Sequence, residues 1–182
     1  MTEISERYAR LADAFADKIA AVPPDRWSAP TPCENWTVRG LVEHVVSSQS
    51  IFLGFVGESV GDAPSVDDDP RGAWTAARTV VQRGLDDPER AASEFEGMMG
   101  RMTFEGAVDR FLSVDLVVHG WDLSRAAGLD DRIDPRDIAH VRAAAESFGD
   151  AMRNPRAFGP EVQAPPGADE QAKLMAFLGR MP

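Results

Sequence analysis

Lysine, cysteine and long apolar runs are scarce in this 182-residue chain, and each scarcity closes off a class of function. Only Lys18 and Lys173 are lysines, and the formal net charge is −11. Nucleic acid and anionic membrane surfaces both need a basic footprint to neutralise phosphates, so neither is expected as a partner. Cys33 is the one cysteine, which excludes an internal disulfide and fits a reducing compartment. No apolar run comes near the roughly 20 residues that span a bilayer. The stretch MTEISERYARLADAF is charged and amphipathic, without the apolar segment of a secretory leader, so a cytoplasmic protein is expected. Strand-like alternation is missing as well, which leaves helices to build the core.

What is present suits one helical domain spanning 1–182, since 43% of residues are hydrophobic and the length favours a single core. Ile4, Tyr8, Leu11, Ala12, Phe15, Ile19 and Val22 recur at helical spacing from about Glu3 to Val22, where Pro23 and Pro24 stop the helix. A second helix is expected from the N-cap Thr37 to about Gly57, with Trp36 and Leu41 placed as a hydrophobic staple. A third follows at about Pro70 to Leu85, after an acidic loop. The stretch through Met98 to Arg101 has no clear assignment. A long helix is expected from about Thr103 to Ala127, capped by Gly128, then one from Pro135 to about Arg153 and a short one ending near Gly179. Four principal helices around one core, with extra helical elements, is the economical architecture.

Three polar residues fall on faces that should be buried. His44 lies within the inward stripe of Leu41, Val45, Ser48, Phe52 and Leu53. Asp115 and His119 lie within the stripe of Val108, Phe111, Leu112, Leu116, Leu123 and Ala126, and Val114, Val117 and Val118 make that helix apolar nearly all round. A buried carboxylate is costly unless it is paired, hydrogen-bonded or bound to a metal. Asp115 and His119 are four residues apart, so they project from one face with only a ~40° offset. Such a pair can grip one ion, with His44 as third ligand from a neighbouring helix. Two histidines and one carboxylate leave coordination positions open, as in catalytic zinc sites, and would also suit iron or nickel. The same spacing equally fits a hydrogen-bonded Asp–His pair with no metal.

Other residues carry weaker signals. Asp122, one turn from His119, is placed either to orient that imidazole or to pair with Arg125. Trp121 suits packing better than a substrate platform, and Arg125 is either a partner for a substrate carboxylate or an ordinary surface arginine. Cys33 precedes a helix N-terminus, where a thiolate is favoured, but a lone cysteine is more often a small buried apolar group. Glu43 points about 100° away from His44. His140 is expected at the surface near Arg136 and Asp137, and the run Asp67 to Asp69 in solvent.

The stretches TPCENWTVRGLVEHVV and DLVVHGWDLSRAAG resemble those of the DinB-like metal-binding proteins. More closely, they are similar to the helical N-terminal domain of mycothiol-dependent maleylpyruvate isomerases and their small actinobacterial single-domain relatives. The ending FGPEVQAPPGADEQAKLMAFLGRMP extends the likeness over almost the whole chain. The resemblance implies an all-α, DinB-like four-helix bundle with one divalent metal, zinc first and nickel or iron as alternatives, held by His44, Asp115 and His119. In the isomerase the acid is usually glutamate. The shorter Asp115 draws the ion toward the long helix or leaves a gap for water. The implied function is a mycothiol-type, thiol-dependent transferase or isomerase acting on a small electrophile, with a low-molecular-weight thiol as co-substrate and a homodimer admissible. The alternative is a non-catalytic metal- or small-ligand-binding protein of the same fold.

Overall fold

The computed structural model describes residues 2–33, 36–97, 100–149, 153 and 158–182. Helix starts follow from local chemistry. In α1 (Glu3–Ala21) the Thr2 hydroxyl accepts from the Ser5 amide. In α2 (Val38–Phe55) Thr37 accepts from Gly40, and in α3 (Pro70–Asp86) Asp69 accepts from Gly72, with Pro70 in the first turn. Each cap satisfies a backbone amide that has no partner inside its helix. Asp69 thereby has a structural task that the solvated reading of the Asp67 to Asp69 run did not assign to it.

Beyond α3 come the short α4 (Pro88–Ala91) and an antiparallel hairpin, β1 (Glu94–Gly97) and β2 (Gly100–Thr103), with Phe95 opposite Met102. The hairpin corrects the expectation that strands are absent. It is only four residues a side, too short for alternation to stand out from its surroundings. Met98, in the unassigned stretch, lies outside the described residues.

The expected long helix is real but not uniform. It comprises α5 (Phe104–Ala107), a π-helical segment (Val108–Leu112) and α6 (Ser113–Ala127), ending at Gly128 with φ 73°. The Ser113 amide reaches back five residues to the Val108 carbonyl. This inserts one residue into the turn just before Asp115 and re-aims the face that follows. The next helix, α7 (Pro135–Phe148), stops at Gly149 rather than running on to Arg153, which instead forms an isolated bridge with Phe158. The last helix is α8 (Glu170–Phe177).

Four helices form the bundle. α1 packs against α3 and α6, and α2 packs against the same two, so the order around the core is α1, α3, α2, α6. Tyr8, Phe15, Ile19, Leu41, Leu53, Trp74, Leu112 and Leu123 fill it. Phe15 meets Trp74 edge to face at 5.1 Å, a favoured aromatic geometry. α7 packs on α6 and α8. Among the described residues no helix is long and apolar enough to cross a membrane.

One polar link crosses the interior. The Tyr8 hydroxyl donates to Gln49 Oε1 at 2.7 Å, and Gln49 Nε2 donates to the Val45 carbonyl. Both side chains are fully buried, and burial pushes the Tyr8 hydroxyl pKa up. Tyr8→Phe leaves the Gln49 oxygen without a donor, so it should cost about 1–3 kcal/mol in urea unfolding.

Candidate metal centre

α2 and α6 bring His44, Asp115 and His119 together. One donor atom from each lies within 4.8 Å of the others. The Asp115 carboxylate sits between the two rings, with Oδ2 3.6 Å from His44 Nε2 and Oδ1 3.9 Å from His119 Nε2. Both separations exceed hydrogen-bond range. Four ligands at zinc–nitrogen distances stand about 3.3 Å apart around a tetrahedral ion, so the two Asp115 separations need close by only a few tenths of an ångström, and the widest pair of the set, within 4.8 Å, must close further. The donor chemistry fits a borderline divalent ion.

Burial is graded across the set. His119 is buried, whereas His44 and Asp115 are about one-third exposed. The side of the cluster nearest solvent is therefore the side of His44 and Asp115. Trp36 covers part of it, its ring 4.3 Å from that of His44 and 5.6 Å from that of His119. The residue placed to staple the start of α2 thus also stacks on the α2 histidine.

Asp122 orients His119. His119 Nδ1 lies 3.1 Å from Asp122 Oδ2, and since a carboxylate can only accept, Nδ1 carries the proton and Nε2 is left to face Asp115. This is the arrangement by which outer carboxylates fix a ligand imidazole. The expected alternative, a pair with Arg125, is overturned: Arg125 pairs with Asp131 and lies over Trp121. Trp121 is itself buried and presents no platform to solvent. Cys33 is partly buried and is not among the converging donors. His140, expected at the surface, is largely buried, with Nε2 donating to the Asp109 carbonyl of the π segment at 3.1 Å.

Sequence reasoning missed Arg180. Its Nη2 lies 3.0 Å from Asp122 Oδ2 and its Nε 3.4 Å from Oδ1. Both side chains are buried, Asp122 completely. The one available signal was the need of Asp122 for a cation, and that need does not say which of the chain's 17 arginines answers it.

Burial by itself would raise the pKa of Asp122, but the His119 hydrogen bond and the Arg180 charge outweigh it and hold the carboxyl below its ordinary value. Asp115 is lowered too: burial opposes ionisation, and the adjacent His44 and His119 rings, with the Arg180 charge, favour the ionised form and overcome it. Carboxylates lowered in the folded state contribute stability above the ordinary range, and that stability is lost as pH falls through it and on through the folded value. Metal-free protein should therefore lose unfolding free energy below about pH 4, and Asp122→Asn should flatten the decline. Arg180→Leu leaves a buried unpaired carboxylate and should cost about 3 kcal/mol.

Residues 8–124 match the profile of the mycothiol maleylpyruvate isomerase N-terminal domain. Two proteins of Mycobacterium tuberculosis, one from strain CDC 1551 / Oshkosh and one from H37Rv, each described as uncharacterized, are 31% identical over 173 residues, covering 94% of this chain and 94% of each relative. No solved structure matches the chain. The match spans α1 to α6 and includes all three converging donors. The chain belongs to the mycothiol maleylpyruvate isomerase N-terminal domain family, with its all-α, DinB-like fold.

Proposed function

We propose that the bundle is a divalent-metal protein that uses a mycothiol-type thiol to act on a small electrophile, as a transferase or isomerase. The observation that carries this reading is the spacing around Asp115. Two imidazole nitrogens face one carboxylate at 3.6 and 3.9 Å, too far to bond it and close to the separation of ligands around one ion. The matched family takes its name from mycothiol, which supports a thiol as co-substrate.

His44, Asp115 and His119 would hold the ion, with zinc favoured by the donor set. Bound there, the metal supplies a positive charge that stabilises a thiolate at neutral pH. The protein's own contribution is positional. Asp122 keeps the His119 proton on Nδ1 and so presents Nε2. Arg180 balances the Asp122 charge, so that the carboxylate orients the imidazole without drawing off its proton. The exposed edge between His44 and Asp115 is the side from which a thiol would approach.

Protein purified without added metal should contain about one zinc, nickel or iron per chain by elemental analysis, and His44→Ala should retain much less. Metal content should also fall between neutral and mildly acidic pH, because ligating imidazoles must be neutral. Metal-dependent consumption of mycothiol with a model electrophile, lost in His44→Ala, is the expected activity. Retained metal with no thiol consumption would reduce the reading to a binding protein. No metal uptake at neutral pH would refute it.

A further inference from the structure

Five of the chain's nine phenylalanines lie outside the buried core and form one continuous strip. Phe95 stacks on Phe55 at 4.8 Å, Phe55 meets Phe52 at 5.7 Å, Phe52 meets Phe111 at 5.6 Å, and Phe111 stacks on Phe148 at 5.3 Å. Phe55 is 44% exposed and its neighbour Ile51 57%, and the other four rings are only partly buried. Phe55 and Ile51 thus give the strip an exposed apolar edge, and such surface beside a candidate site is a mark of binding.

The register of the strip ties it to the metal centre. On α2, His44, Ser48 and Phe52 follow one another at four-residue intervals, and Phe111 stands four residues before Asp115. The α2–α6 seam therefore carries donors at one level, His44 against Asp115, and aromatic rings at another, Phe52 against Phe111. Four residues of helix rise about 6 Å and eight about 12 Å, the length of one or two aromatic rings. One cation meets the strip at its far end, where Arg110 lies 4.5 Å over Phe148 and donates to the Ser147 hydroxyl.

We propose that the Phe52–Phe111 strip is the substrate shelf of the metal centre, and that it selects an electrophile with a flat apolar body of one or two rings. Its reacting end would lie at the exposed edge of His44 and Asp115, and its body over the rings. This assignment rests on the metal–thiol reading above, but the shelf can be tested apart from it.

In metal-free protein, the neutral fluorophore N-phenyl-1-naphthylamine should bind saturably. Phe52→Ser and Phe55→Ser should each weaken it by about tenfold, consistent with the loss of one aromatic contact and its burial. Phe52→Leu, which keeps apolar volume, guards against an unfolding artefact and should weaken it by about threefold. In cobalt-loaded protein, followed by the thiolate-to-cobalt absorption band, benzyl mercaptan should bind about tenfold tighter than 2-mercaptoethanol. That preference should vanish in Phe52→Ser, with the 2-mercaptoethanol midpoint unchanged. Absence of the band with both thiols would refute the metal–thiol reading and leave the fluorophore to judge the shelf. Equal thiol midpoints, unaltered fluorophore binding in the variants, or a strip whose substitution changes only a monomer–dimer equilibrium would overturn the shelf.

Discussion

The arrangement turns on one fully buried carboxylate. Asp122 sits in a helix whose neighbours Val114, Leu116, Val117, Val118 and Leu123 are all buried, and an unpaired charge there would cost several kcal/mol. Two groups resolve the conflict. Arg180 supplies the opposite charge, and the His119 Nδ1–H supplies a hydrogen bond. Because both are needed at once, the ring of His119 cannot turn without exposing the carboxylate to an unfavourable environment. The segment that bears Arg180 is held on α6 for the same reason. A single electrostatic requirement thus orients a donor and docks the last helix.

Around that fixed point the α2–α6 seam has a simple layout. Trp36 lies against the two histidines, the three donors converge beside it, and a band of phenylalanine rings follows. The π segment marks the change of character. It ends at Leu112, three residues before Asp115, and the extra residue shifts the helix face where apolar packing yields to donors. The Asp109 carbonyl within it accepts from His140 on α7, so α7 is tied to the same point.

Much of this was readable from residue types. Thr2, Thr37 and Asp69 are capping residues, and Pro23, Pro70 and Gly128 are boundaries, because each acts on the backbone within a turn of itself. His44, Asp115 and His119 stood out because a polar group on a buried stripe must be matched by something. The unread features depend on partners distant in sequence or on subtle backbone choices. Arg180 lies 58 residues from Asp122, and no local pattern announces a cation for a particular acid. His140 has polar neighbours in sequence, yet its position is decided by a carbonyl 31 residues away. A π segment uses the same residues as an α-helix, so hydrophobic spacing alone does not distinguish them. The hairpin escaped because four residues a side carry too few alternations.

The 58-residue gap between Asp122 and Arg180 also sets an order of events during synthesis. At roughly 5–20 residues per second, the carboxylate is made about 3–12 s before the guanidinium that neutralises it. In that interval the helix bearing the donors holds an acid with no cation, and burying it is opposed. Burial of Asp122 with its full pairing is therefore open to the chain only after residue 180 has been made.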